Sequence, residues 1–379
     1  MSEPGPERLD DRQVRPNGSG VESDVIRNMR SSAEQDESRA GPVDLLCAGF
    51  VTLDILRMGQ RLEHHAGGTA CNVAANVAWL GRSTAILGRI GADVSGRLLR
   101  EDLSRMGVNT DELDLVDLVS TPQVMHEVSR GGSHRYLFSC PECGKAFPRH
   151  RPAVVSAVVR AGARLRPKVL FFDRASAGTV AAAAAAVERG ALVFFEPSTA
   201  GRIDLTRRAM AMADIVKVSA DRLPSGRGLP SPSSPRQIQI VTHAGAGLSW
   251  RRGPSQWQTL SAFPAQAVVD SGGAGDWTTA GLLVGLLAFA NRSLGGSVLT
   301  SARVIRAGLR FGQALASLSL AHPGARGLAV RERREDVLRR AGAFASVPKG
   351  RGEGPPPAWV FRGPISGCEV CLRSSNGAI

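Results

Sequence analysis

The sequence predicts an α/β fold, a central mostly parallel sheet with helices on both faces, and three observations carry that expectation. Short apolar runs alternate with helical stretches along most of the chain. A glycine-rich segment runs straight into a long apolar helix pattern. With 379 residues, 43% of them hydrophobic, the chain can bury one large core or two ordinary ones.

The strands are read first. Val43-Asp44-Leu45-Leu46-Cys47-Ala48-Gly49 is a buried strand ending in a glycine turn, and Thr84 to Ile90 is a second. Val169 to Asp173, Ala191 to Phe195, Ile215 to Ser219 and Ile238 to Thr242 follow, with an alanine-rich helix over Ala177 to Glu188. This alternation makes a parallel sheet, which takes its ligands outside the carboxyl ends of the strands. Asp173 and Glu196 stand at such ends, where either also reads as a helix cap. Gly91 to Gly96 leads into a helix reaching Met106, with Asp93 as its cap. Gln123 to Val128 and His134 to Phe138 alternate about Gly131-Gly132 as a hairpin.

The glycine-rich segment is Asp270-Ser271-Gly272-Gly273-Ala274-Gly275-Asp276, followed by an apolar helix from Trp277 to Ala290. A helix start has unpaired N–H donors and a partial positive charge, so the amides of Gly273, Ala274 and Gly275 form a candidate anion hole. Asp276 at its rim is unfavourable beside an anion unless it has a task, and accepting a proton from a nucleophilic hydroxyl is one. The plainer alternative is a cap and a turn. Other phosphate loops fit worse, because no Gly-Lys-Ser/Thr ends the run and Thr278 stands where a dinucleotide fingerprint has its third glycine.

This heptad resembles the C-terminal signature of the ribokinase-like, PfkB-type carbohydrate kinases, usually Asp-Thr-Thr-Gly-Ala-Gly-Asp, with Ser271 and Gly272 as departures. An upstream signature is matched by Gly67-Gly68-Thr69-Ala70-Cys71-Asn72, followed by Gly81 and Gly88. The resemblance covers about residues 43–345 and implies a ribokinase-like fold with a small β lid, from segments near 52–66 and 118–140. It implies that Asp54, five residues after Gly49, and Gly67, Gly68 and Asn72 touch the phosphate acceptor. It also implies that Thr242, Gly245 and Gly247 lie on the nucleotide, a plain hairpin turn being the alternative there, and that Ala314 to Leu320 with Pro323-Gly324-Ala325 flanks the adenine. The helix after Asn72 is expected from Val73 to Leu80, and Cys71 reads as a small buried residue. One departure concerns the metal: where family members carry Asn-x-x-Glu, a carboxylate that helps organise magnesium, this chain has Ser219-Ala220-Asp221-Arg222.

Residues 1–41 are polar with few large apolar groups and read as a disordered tail. Residues 346–379 are rich in Pro and Gly and carry Cys368 and Cys371. A Cys-x2-Cys turn also occurs at Cys140 and Cys143, so four thiolates could make one structural zinc site; a redox pair or a chance recurrence are the alternatives. The net charge of +13 comes almost wholly from arginine and reads as a solvated basic surface. Neither a signal peptide nor a membrane-spanning run is read, which leads to a cytoplasmic expectation.

The function expected is ATP- and Mg²⁺-dependent phosphorylation of a hydroxyl on a sugar or nucleoside-like molecule, with Asp276 as base. A homodimer through the lid is an expected assembly. Two rivals are carried: a ribokinase-like binding or regulatory protein with impaired catalysis, motivated by Arg222, and a nucleic-acid-binding zinc protein. The latter is disfavoured by few aromatics and no basic cluster on a helix.

Overall fold

The computed structural model describes residues 42–128, 134–198, 201–223, 228–290 and 301–345. Its main sheet is parallel through the centre. β1 (Leu45–Ala48) lies between β4 (Thr84–Gly91) and β9 (Val169–Phe172), with Leu45 opposite both Thr84 and Val169. β10 (Leu192–Phe195), β11 (Ile215–Ser219) and β12 (Ile238–Thr242) extend it on one side. β5 (Val108–Asn109) and β6 (Leu113–Val116) both pair with β4 on the other. β13 (Leu248–Arg252) and β14 (Gln258–Leu260) turn antiparallel at the edge.

The central strands are continuous apolar runs because both their faces are covered, as parallel strands require. All four residues of β1 and of β9 are buried. A second, four-stranded sheet has the order β3-β2-β7-β8, formed by β2 (Thr52–Met58), β3 (Arg61–Gly67), β7 (Gln123–Val128) and β8 (His134–Leu137). Its strands come from the two segments expected to form a lid. The Gly131-Gly132 turn of the hairpin lies outside the described residues, although β7 and β8 do pair antiparallel.

The helices are α1 (Thr69–Trp79), α2 (Val94–Arg105), α3 (Val155–Leu165), α4 (Ala177–Glu188), α5 (Ile203–Met212), α6 (Ala274–Ala290), α7 (Ala302–Ser319), α8 (Gly327–Arg331) and α9 (Arg334–Ala345). Local chemistry sets several starts. Asp93 accepts from Gly96 N at 2.8 Å, so it is a cap as expected. Ser176 and Thr179 close a reciprocal capping box on α4.

Two helices begin earlier than the sequence suggested. α1 starts at Thr69 instead of Val73, which puts Asn72 inside the first turn and not ahead of the helix. α6 starts at Ala274 instead of Trp277, so Gly275 and Asp276 are helical residues. In both cases the helix begins at the first position after a positive-φ glycine, Gly68 at 84° and Gly273 at 79°.

Helices α6 and α7 pack closely through small residues. A Cβ placed on Gly312 would stand 2.3 Å from the Thr278 carbonyl oxygen, which is backbone and cannot step aside. Gly312→Val is therefore expected to destabilise the fold by about 1–3 kcal/mol through overpacking, read as a lowered midpoint in chemical denaturation. An unchanged midpoint would mean that the helices separate at no cost.

Candidate active site

The heptad occupies the start of α6 at the carboxyl edge of the main sheet. Its turn is held from within by Asp270, which is 1% exposed. One Asp270 oxygen accepts from Gly272 N at 2.7 Å and the other from Gly324 N at 2.8 Å. The segment Pro323-Gly324-Ala325 thus braces the loop, and the Ala325 carbonyl also accepts from Trp277 Nε1 at 2.9 Å. Ala314 to Ser319, expected beside adenine, form the last turns of α7.

Helical geometry leaves the N–H groups of Gly275 and Asp276 without intrahelical acceptors. Ala274 N makes a long contact of 3.4 Å to the Ser271 carbonyl. The unpaired donors at the mouth therefore include Gly275, one of the expected trio of Gly273, Ala274 and Gly275, and also Asp276.

Asp276 is buried, and its Oδ2 accepts from Asn72 Nδ2 at 2.8 Å. The early start of α1 makes that bond, because it turns Asn72 from a loop residue into one facing α6. Near them, Asp54 on β2 receives the Gly68 backbone N–H. A Cβ on Gly67 would fall 1.9 Å from Asp54 Cγ, so only glycine lets the carboxyl lie across the strand end. Asp54, Gly67, Gly68, Asn72 and Asp276 are thus brought together.

Burial pushes the Asp276 carboxyl up to about 7, helped by Glu196 and opposed by the Asn72 hydrogen bond, Lys217 and Arg222. Burial likewise lifts Asp54 to about 7, opposed by Arg326 and aided by Asp276. A carboxylate poised near neutrality can take a proton and release it, as a general base must.

Several residues of this site went unmarked in the sequence. Lys217, one of four lysines in the chain, is 2% exposed inside an otherwise apolar strand; that misplaced charge was the available signal. It donates to Glu196 Oε1 and, at 3.1 Å, to the Gly275 carbonyl. From the lid, His126 stacks on Tyr136 with ring centroids 4.8 Å apart. A Cβ on Gly272 would stand 2.9 Å from His126 Cε1, so a larger residue here would require that ring to shift. Arg222, which the sequence did mark, ends a short 3-10 turn after β11, and its charge reaches Asp276, Tyr136 and Arg174.

The turn after β12 is a further piece of the same edge. Gly245 has open space where a Cβ would be, and Thr242 ends the strand. Gly247 answers to packing: its φ is 100° and a Cβ there would meet the Leu260 carbonyl oxygen at 2.1 Å. Cys140 is buried with Ile55, Met125 and Phe147, whereas Cys143 is exposed. Gly144, at φ 71°, donates to the Cys140 carbonyl at 2.8 Å in a tight turn. The other two proposed ligands, Cys368 and Cys371, lie outside the described residues. Among the described residues no three His, Cys, Asp or Glu side chains gather into a metal site, and no helix is long and apolar enough to cross a membrane.

Comparisons with known proteins place this arrangement in a class of small-molecule kinases. A double mutant of fructokinase from Vibrio cholerae O395, solved with fructose, ADP and potassium ion bound, superposes with TM-score 0.60 at 21% identity, covering 81% of this chain and 100% of that one. Aminoimidazole riboside kinase from Salmonella enterica, complexed with aminoimidazole riboside and an ATP analog, superposes with TM-score 0.58 at 20% identity over 78% and 99% of the two chains. The fold is ribokinase-like. A fructokinase of Klebsiella pneumoniae is 30% identical over 265 residues, 63% of this chain and 83% of the relative. The pfkB family carbohydrate kinase model matches residues 47–331, and the chain belongs to that family, whose members are phosphotransferases acting on a sugar hydroxyl.

The raised carboxyls give a pH dependence of stability whose sign follows from linkage. Between the ordinary carboxylate range near 4 and about 7, the folded state binds protons on Asp54 and Asp276 that the unfolded state has lost. Their contribution therefore falls as pH rises through that window. Glu63, drawn down to about 2 by its hydrogen bond to His65 and by Arg331 and Arg61, acts oppositely and loses its contribution as pH drops below about 4. Calorimetry should give a higher melting temperature at pH 6 than at pH 8, and Asp276→Asn should raise the pH 8 value toward the pH 6 one.

Proposed function

We propose that this carbohydrate kinase transfers the γ-phosphoryl group of ATP to a hydroxyl of a small sugar, fructose being the first acceptor to test, with a nucleoside as the second. The observation that carries the reading is the Asp276 carboxyl, held by Asn72 at the mouth of α6 beside Asp54. Asp54, Gly67, Gly68 and Asn72 hold the acceptor, and Asp276 removes the proton as the hydroxyl oxygen attacks. A bond forms from that oxygen to the γ-phosphorus, the bond to the ADP oxygen breaks, and ADP leaves. The amides at the start of α6 meet the charge on the transferring group. Thr242, Gly245 and the turn that Gly247 closes lie under the nucleotide.

The ATP analog and the ADP bound in the two related structures support ATP as the donor. Magnesium normally arrives on nucleotide phosphates and needs one or two carboxylates from the protein. Among the described residues no such carboxylate cluster gathers, both Glu196 oxygens being taken by Lys217 and Thr279, and Arg222 stands where the resemblance expects a carboxylate, so no step is drawn through the metal. That same substitution favours the second reading, a ligand-binding protein of this fold with impaired catalysis. A cytoplasmic setting accompanies the use of ATP.

Asp276→Asn should remain folded and lose about 10²–10⁴-fold in kcat for whichever sugar the wild type phosphorylates, measured by coupled ADP release. Wild-type turnover in this variant would end the proposed role of Asp276. A wild-type protein that binds sugar without consuming ATP would favour the second reading.

Assembly through the lid is proposed as well. Phe138, just after β8, is 63% exposed, an apolar side chain open to a second copy. Sedimentation should read a dimer that Phe138→Asp dissociates, and a monomer at all concentrations would dismiss this assembly.

A further inference from the structure

Beneath the loop lies a layer of side chains with no part in the reaction as set out above. Lys217 is enclosed between Val216 and Val218 in β11 and is almost wholly buried. Its ammonium donates to Glu196 Oε1 and to the Gly275 carbonyl, the latter at 3.1 Å. Thr279, on the second turn of α6, donates to the other Glu196 oxygen at 2.6 Å. Three elements therefore meet at one buried ion pair.

Stability is a poor account of such a pair. Removing two ions from water costs several kcal/mol each, and well-packed apolar residues of similar volume often serve a core as well or better. What an apolar pair cannot do is grip a carbonyl. The peptide joining Gly275 to Asp276 is planar and trans, so its C=O and N–H point in opposite directions. A carbonyl drawn down onto Lys217 aims the Asp276 N–H up toward the cleft.

We infer that Lys217, held by Glu196 and Thr279, is a positioning residue for phosphoryl transfer: it fixes the Gly275–Asp276 peptide so that its N–H meets the transferring phosphate. This deepens the kinase reading and rests on it. The same pair acts on the base with opposite signs, Glu196 making Asp276 less acidic and Lys217 making it more so. The other charged or titratable groups facing that carboxyl are Asp54 on β2, Tyr136 on β8 and Arg222 after β11. All three remain in the variants below.

The test uses the full chain with Lys217→Met, Glu196→Gln and the double variant, each measured for kcat, sugar KM, melting temperature and the pH profile of kcat/KM. Lys217→Met should lose on the order of 10²-fold in kcat with sugar KM within about threefold, the size expected when one transition-state donor is misaimed. Its acid limb should move up by about one pH unit, and that of Glu196→Gln should move down by a similar amount. The double variant should melt no lower than the wild type yet remain slow, which separates aim from stability. A double variant with wild-type kcat, or single variants whose acid limbs do not move apart, would overturn the inference. If the wild type phosphorylates no acceptor, the kinase reading itself fails, and that result is seen before any variant is made.

Discussion

The site depends on burying carboxyl groups at the positive end of a helix. Asp276 stands in the first turn of α6, where dipoles and unpaired amides favour negative charge, but its surroundings exclude the water that would solvate it. The two effects oppose each other. Burial is the larger, which is why the proton is held to near-neutral pH. An exposed aspartate at the same place would be a cap and nothing more. The arrangement that buries it is the packing of α1 on α6, sealed further along by Trp79 against Trp277 at 5.7 Å between ring centroids.

That packing depends on glycines placed where chain meets chain. Gly67 lets Asp54 cross the end of β3, and Gly273 turns into the helix with Ala325 against its Cα. The small sheet lies against the same few residues. β2 carries Asp54 and pairs with β7, which carries His126, whose ring lies against Gly272. One small sheet therefore brings both the Asp54 carboxyl and a side chain against the glycine-rich loop.

The fold was legible because parallel strands leave a plain trace. Runs such as Val169–Phe172 and Ile238–Thr242 are apolar at nearly every position, and the intervening helices are long enough to cross the sheet. Helix starts were less legible: Val73 and Trp277 open the apolar patterns, whereas Thr69 and Ala274 open the helices, since small residues carry no periodic signal. Gly247 is ambiguous for a related reason. A glycine required by a neighbouring carbonyl looks the same in sequence as one required by a ligand. His126 and Tyr136 could be placed in a hairpin by their alternation, but which face of that hairpin meets residues 270–273 is a tertiary fact.

Lys217 shows how charge can be misread in both directions. Most of the +13 net charge lies on arginines, and it drew attention to the surface and to polyanions. The cation closest to the anion loop is instead inside, on a strand whose remaining residues would suit any core. Glu196, its partner, lies 21 residues upstream and had been noticed only as the end of a strand. Two strand ends side by side in a parallel sheet bring such residues together without any local motif, because adjacent strands share their carboxyl edge. Charged residues near the carboxyl ends of neighbouring parallel strands are thus better read as pairs than singly, and here that pairing reaches the backbone carbonyl of Gly275, next to the proposed base.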